Sequence, residues 1–300
     1  MLQPLEDKIT QSFLPALTGL PPPNGLVREL MALTARLGGL ALANPTTLAD
    51  DEFHCSTQLA HPLLSLLAQG ERSLGNCHNK QRAIKERLKK EKRRRTQESA
   101  ERVLSTLSEE MQRNVLLARE KGASTWLSAR PLQDHGFVLS KSDFRDTISL
   151  WYGWPLQHLP DTCVCGQAFT TDHALSCPTG GYPSLRHNDL RDFLVAALSE
   201  VAQETAIEPP LQPLSGETFQ LRSASTDDEA RLGFGARGFL GSRFQVAFFD
   251  VRVMNLNAPS YRHLQPNALY RRAEQEKERK YGERIRHVEH ASFTPLIFST

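Results

Sequence analysis

Apolar positions along the 300-residue chain recur with a helical period in its first half and with both helical and strand periods in its second. Residues 1–20 favour helix until LTGLPPPNG, where three prolines, Asn24 and Gly25 impose a break. Leu26, Leu30, Leu33 and Leu37 then predict a short amphipathic helix ended by Gly38 and Gly39. From 78 to about 122 the chain is rich in Lys, Arg, Glu, Gln and Ala and lacks proline, which predicts one long polar helix or a pair of them. In RHNDLRDFLVAALSEVAQE, the residues Leu190, Phe193, Leu194, Ala197, Leu198 and Val201 form a stripe expected to face a core. FQVAFFDVRV alternates instead. It is a predicted strand with Phe244, Val246, Phe248, Asp250 and Arg252 on one face and Ala247, Phe249, Val251 and Val253 on the other. PNALYRRAEQEKERKYGERIRHVEH returns to helix, with Leu269, Ala273, Lys277, Tyr281 and Ile285 along one i, i+4 row. The closing SFTPLIFST reads as a hydrophobic strand, an ending expected of a truncated reading frame.

These elements imply an α+β protein: a helical N-terminal half, a small cysteine-rich knuckle and an α/β domain. With 39% hydrophobic residues the chain can form one large core or two modest ones. The formal charge of +2 hides an asymmetry. KQRAIKERLKKEKRRR, residues 80–95, carries ten Lys/Arg and two Glu and is net +8, leaving 26 basic and 32 acidic residues elsewhere, net −6. The plain reading of that run is a solvated helical face, and its functional readings are a nuclear-import signal or a phosphate-binding stripe centred on Lys89, Lys90, Lys92, Arg93, Arg94 and Arg95. Trp126, Trp151 and Trp154 stand near it in sequence, and core packing is their expected fate rather than base stacking. MLQPLEDKITQSF lacks the basic and apolar regions of a secretory signal, and no apolar run is long enough for a membrane span. A nuclear or cytoplasmic protein, not a secreted one, is expected.

An odd number of cysteines, five, without an export signal points to a reducing compartment and to metal before disulfides. CVCGQAFTTDHALSC supplies Cys163, Cys165, His173 and Cys177, a C-x-C-x7-H-x3-C arrangement. Zinc takes four tetrahedral N and S ligands, so this set would make a closed, structural site. Gly166 suits the turn after the second cysteine. The single residue between the first two cysteines is tighter than the usual spacing, and the competing reading is three free core cysteines beside a surface histidine.

Two charges interrupt apolar rows. Asp250 ends the row of its strand and Lys277 interrupts that of its helix, and each is costly there without a partner. Asp250 is expected either to be neutralised by Arg252 or to hold a cation. Arg186 and His187 open a predicted helix, where a phosphate would find the positive end of the dipole.

The linked order of the knuckle, RHN, DVRV and KERKY resembles the C-terminal region of non-LTR retrotransposon proteins that carry a restriction-like endonuclease. FLPALTGL and RELMALTARLGGLALANP are similar to the stretch downstream of the polymerase in the same reverse-transcriptase proteins, without its metal-binding aspartates. The resemblance implies DNA or RNA as partner, the rest of a retrotransposon protein as a further one, and a cleavage centre marked by Asp250, Arg252, Lys277, Lys280 and Tyr281, with Mg²⁺ as its cofactor where cleavage survives. Arg252 stands where such enzymes often place lysine, and it can grip phosphate but not act as a base. The resemblance also calls for an acidic residue in DEARLGFGARGF, where Gly233 stands. Hydrolysis through a bound cation needs clustered carboxylates, so weak or absent cleavage is expected.

The expected division is a reverse-transcriptase remnant at 1–49, a basic helical connector at 50–125, a Trp-rich segment with the zinc knuckle at 126–182, and a degenerate nuclease domain at 183–300. Two alternatives are an active Mg²⁺-dependent endonuclease using Asp228 or Glu208 as the missing acid, and a zinc-stiffened protein-interaction module.

Overall fold

In the computed structural model, which describes residues 2–68, 74–212, 214, 232–239 and 243–300, the chain divides into two units at Gln157/His158. The Trp-rich segment thus belongs to the first unit and the cysteine knuckle to the second.

The first unit is helical. α1 (Gln3–Lys8) and α2 (Leu14–Thr18) are joined by a π turn at Ile9–Phe13, and α3 (Gly25–Ala32) is capped by Asn24, whose side chain accepts the Val27 N–H at 2.9 Å. The helix expected to run to Leu37 stops at Ala32, because Leu33 is extended and a separate 3₁₀ turn, Ala35–Leu37, follows. That turn ends at Gly38, where φ is +82° and a Cβ would lie 2.8 Å from Val115 Cγ1, so both conformation and packing demand glycine.

α4 (Pro45–Ala68) and α5 (Leu74–Thr106) pack against each other as antiparallel helices. Their polar partners run in reverse order: Lys92 to Glu52 at 2.5 Å, Arg95 to Asp51 at 3.0 Å, Arg87 to Gln58 at 2.7 Å and Gln81 to the Leu59 carbonyl at 3.1 Å. The predicted long polar element is therefore α5 followed by α6 (Glu109–Ala118), which Ser108 caps. α7 (Lys141–Tyr152) begins with a capping box between Ser140 and Asp143 and ends at left-handed Gly153. Leu30, Leu33, Val103, Leu107, Val115, Ile148 and Tyr152 form the core, with Trp126, Trp151 and Trp154 packed on it as expected. Trp126 meets Trp151 edge-on at 5.6 Å and Phe144 at 5.9 Å.

The second unit begins with α8 (Thr171–Ser176) and α9 (Tyr182–Ser199). A sheet follows, built from β1 (Glu204–Ile207), β2 (Phe234–Arg237), β3 (Val246–Met254) and β4 (Ser292–Ser299) in that spatial order. The first three strands are antiparallel neighbours, and β4 runs parallel to β3. A parallel pair needs a crossover, which α10 (Pro266–Lys277), a π turn at Glu278–Gly282 and α11 (Glu283–His287) provide.

The period-2 reading of β3 holds. Ala247, Phe249 and Val251 pack with Leu190, Leu194 and Leu198 of α9, whereas Phe248 packs with Tyr281 and Ile285 on the opposite face. Phe244 is the exception: it lies before the strand and is 88% exposed. Of the stripe read on α9, Leu190, Leu194 and Leu198 reach the core, whereas Phe193, Ala197 and Val201, the last beyond the helix, are exposed and Val195 and Ala202 join the packed face. On the crossover the i, i+4 row does reach the sheet, with Leu269, Ala273 and Ile285 buried. Such a row drifts about 40° per step on an ideal α-helix, and the wider π turn offsets the drift before Ile285.

Candidate functional site

The cysteine knuckle is built by short-range hydrogen bonding. Cys163 N–H donates to the Gln167 carbonyl and Gly166 N–H to the Cys163 carbonyl, both at 2.8 Å, with Gly166 at φ +83°. This tight turn folds Cys163 and Cys165 onto one side despite the single residue between them. α8 brings the other two ligands: Thr170 caps it by accepting the His173 N–H at 3.1 Å, and Cys177 follows its last residue. The ligand atoms of Cys163, Cys165, His173 and Cys177 all lie within 4.8 Å of one another. Cys163 Sγ is 3.9 Å from Cys177 Sγ, and Cys165 Sγ is 3.2 Å from His173 Nε2. A tetrahedron with zinc–sulfur bonds near 2.3 Å has S···S edges of about 3.8 Å, so these separations fit one ion of that size. The amide of Gly180, and with it that of Thr179, hydrogen-bonds to Cys177 and holds its thiol below the ordinary value, which favours the thiolate a metal needs. Cys163 and Cys177 are buried and Cys165 is exposed.

The knuckle is tied to the sheet. Buried Asn255, just after β3, donates to Asp172 at 3.4 Å and to Ser176 at 3.5 Å, both on α8. Sequence reasoning passed over Asn255, because a lone amide after a strand carries no periodic signal.

On the sheet face covered by the crossover, the two charges that interrupt apolar rows meet. Lys277 Nζ donates to Asp250 Oδ2 at 2.6 Å, and the carboxylate is largely enclosed. Arg252, expected as an alternative neutraliser of Asp250, pairs with Glu276 at 2.7 Å instead. Neighbouring α10 residues thus serve alternate residues of β3. Lys280 lies over the Tyr281 ring at 4.8 Å, and Lys277 is 5.8 Å from that ring, so Lys277, Lys280 and Tyr281 form one cluster.

Gly233 stands beside this pair. A Cβ built on it would lie 3.5 Å from Asp250 Oδ1 and 3.4 Å from Asp250 Cα. The position that the resemblance assigns to an acid is therefore next to Asp250 in space, and it is empty of side chain. Asp227, Asp228 and Glu229 lie outside the described residues. Glu208, the other candidate acid, is held by Arg191 at 2.7 Å, and its backbone N–H donates to the Gly233 carbonyl. Among the described residues only the knuckle gathers three or more His, Cys, Asp or Glu closely enough for a metal, so no second carboxylate cluster forms around Asp250.

Arg186 and His187 are not at the start of their helix. α9 begins at Tyr182 behind left-handed Gly181, so both lie beyond the first turn, where backbone amides are already paired. The Arg186 guanidinium is enclosed, with Nη2 3.5 Å from the Val253 carbonyl and Nε and Nη1 lacking hydrogen-bond partners. It reaches the end of β3 through that carbonyl. Burial lowers the His187 pKa, partly offset by Asp250, so the imidazole is neutral at pH 7.

The basic run lies on α5 in the first unit. Lys92 and Arg95 are paired with Glu52 and Asp51 of α4, and Arg94 and Arg95 also pair along the helix with Glu98 and Glu91. Lys89, Lys90 and Arg93 are exposed. No helix among the described residues is long and apolar enough to cross a membrane. Neither a protein-family profile nor a curated protein matches this sequence.

Proposed function

We propose that this protein is a nucleic-acid-binding protein of the non-LTR retrotransposon type whose restriction-like centre no longer cuts. The observation that carries the reading is the Asp250–Lys277 pair beside Gly233. A hydrolytic Mg²⁺ needs clustered oxygen ligands to hold it while it polarises phosphate and activates water. Among the described residues Asp250 is the carboxylate at this centre, an ammonium already meets it at 2.6 Å, and the neighbouring position has no side chain. The ion pair keeps α10 against β3 without a bound cation. Arg252 adds no base, since arginine holds its proton.

In this reading Cys163, Cys165, His173 and Cys177 hold one zinc ion as a structural clasp, because four protein ligands leave no open position for chemistry. Affinity for nucleic acid comes from the Lys/Arg run of α5.

A supercoiled-plasmid nicking assay in Mg²⁺ tests the loss of cleavage, with Asp250→Ala as control. No metal-dependent nicking is expected from either protein. Nicking that Asp250→Ala abolishes would establish the active-endonuclease alternative and overturn this reading. Gly233→Asp is the complementary variant: a second carboxylate beside Asp250 is expected to make thermal stability depend on Mg²⁺ at millimolar concentration, where the parent shows no such dependence.

A further inference from the structure

The face of α5 turned away from α4 carries its own geometry. At about 100° per residue, the residues that contact α4, among them Gln81, Lys92 and Arg95, cluster on one side of the helix. Arg82, Lys89 and Arg93 form one row about 110° round the helix from these, and Lys90 and Arg94 a second row about 100° further, next to Arg87, which also reaches α4 through Gln58; the two rows flank the direction that points away from α4. All five are exposed, and among the described residues Arg94 alone of them is paired, through an exposed i, i+4 contact with Glu98. Glu86 is the one acidic residue on that face between 82 and 94. The first row spans about 16 Å, near half a turn of B-form DNA.

Resting on the nucleic-acid reading above, we infer that this outer face lies in the major groove of double-stranded DNA and grips the phosphates of both walls without reading sequence. Three features select that ligand. The face has no aromatic residue anywhere from 80 to 98, so it has no platform on which unpaired bases could stack, and single strands lose the contact that usually holds them. Two basic rows flanking one helix suit two phosphate walls. The major groove of B-form DNA is about 12 Å wide and admits a helix, whereas that of an RNA duplex is too narrow. Lys92 and Arg95 have the same charge but a different task, since they fasten α5 to α4.

Titration of the full chain with fluorescent duplex DNA, duplex RNA and single-stranded DNA of one length, over a series of salt concentrations, tests this. Duplex DNA is expected to bind most tightly, and the combined Lys89→Gln, Lys90→Gln, Arg93→Gln variant to flatten the slope of log affinity against log salt by about three, close to 0.9 per lost contact. Lys92→Gln with Arg95→Gln should change the slope less and lower helix stability in circular dichroism. Absence of salt-dependent binding to any probe would overturn the nucleic-acid reading itself. Binding that survives the triple substitution, or that is as tight for single strands or duplex RNA, would overturn the groove assignment and leave the broader reading standing.

Discussion

Glu6 shows how much one residue can hold. It lies buried under α3, where Arg28 grips both of its oxygens, Nε to Oε1 at 2.7 Å and Nη2 to Oε2 at 2.9 Å, while Thr10 donates a third hydrogen bond. Arg28 also reaches the carbonyls of Leu42 and Ala43, so the pair joins α1, α3 and the chain leading into α4. Burial alone would raise the Glu6 pKa, but the hydrogen bonds and charge of Arg28 outweigh it, and the folded value lies below the ordinary 4.5. A depressed carboxylate contributes stability that is present above its unfolded pKa and is lost as pH falls through the folded one. Arg28→Met, which strands a buried carboxylate, is expected to cost about 3–5 kcal/mol in urea unfolding at pH 7. The loss should shrink as pH falls below 4.5 and Glu6 protonates, and a pH-independent difference would contradict the assignment. None of this was visible in the sequence, because residues 6 and 28 share no period and meet only through the turn at PPPNG.

At the scale of elements, the knuckle makes the next prediction. Its turn and α8 are held by a few backbone bonds and have almost no apolar core of their own, so metal coordination should supply most of their stability. Purified protein is expected to contain one equivalent of zinc by elemental analysis and to lose it on chelation or on Cys163→Ser, with a lower melting temperature for the second unit. A folded, metal-free sample with an unchanged melting temperature would refute the clasp. The ligands were legible in the sequence from their types alone, although the short Cys163–Cys165 gap argued against them until the Gly166 turn accounted for it. β3 was legible because a two-residue period fixes which side chain faces which layer. α9 was read one edge out, because Phe193 and Val201 are apolar enough to suggest a core that lies under Val195 and Ala202. The basic run was plain in composition. That Lys92 and Arg95 are partnered was not, since Glu52 and Asp51 lie forty or more positions earlier.

For the whole molecule, each unit has its own hydrophobic core, one around Val103, Val115 and Tyr152 and another on the two faces of β3. Chains ending at Gln157 or beginning at His158 are accordingly expected to fold separately, each with dispersed amide resonances, the second only with zinc; collapse of either alone would show that the division at that point is not a domain boundary. The crossover of the second unit sets a further condition. Upstream of the π turn Lys277 addresses Asp250, and downstream Ile285 is sealed among Phe248 and Leu211, so one continuous rod must satisfy two targets. Removing a single residue between 278 and 282 would let the wide turn relax to regular α-helix, in which seven steps from Lys277 come round to within about 20° of its own direction, so both engagements would survive. The segment is thus bound to keep the common direction of Lys277 and Ile285, and the turn at 278–282 is where one residue can be gained or lost without disturbing it.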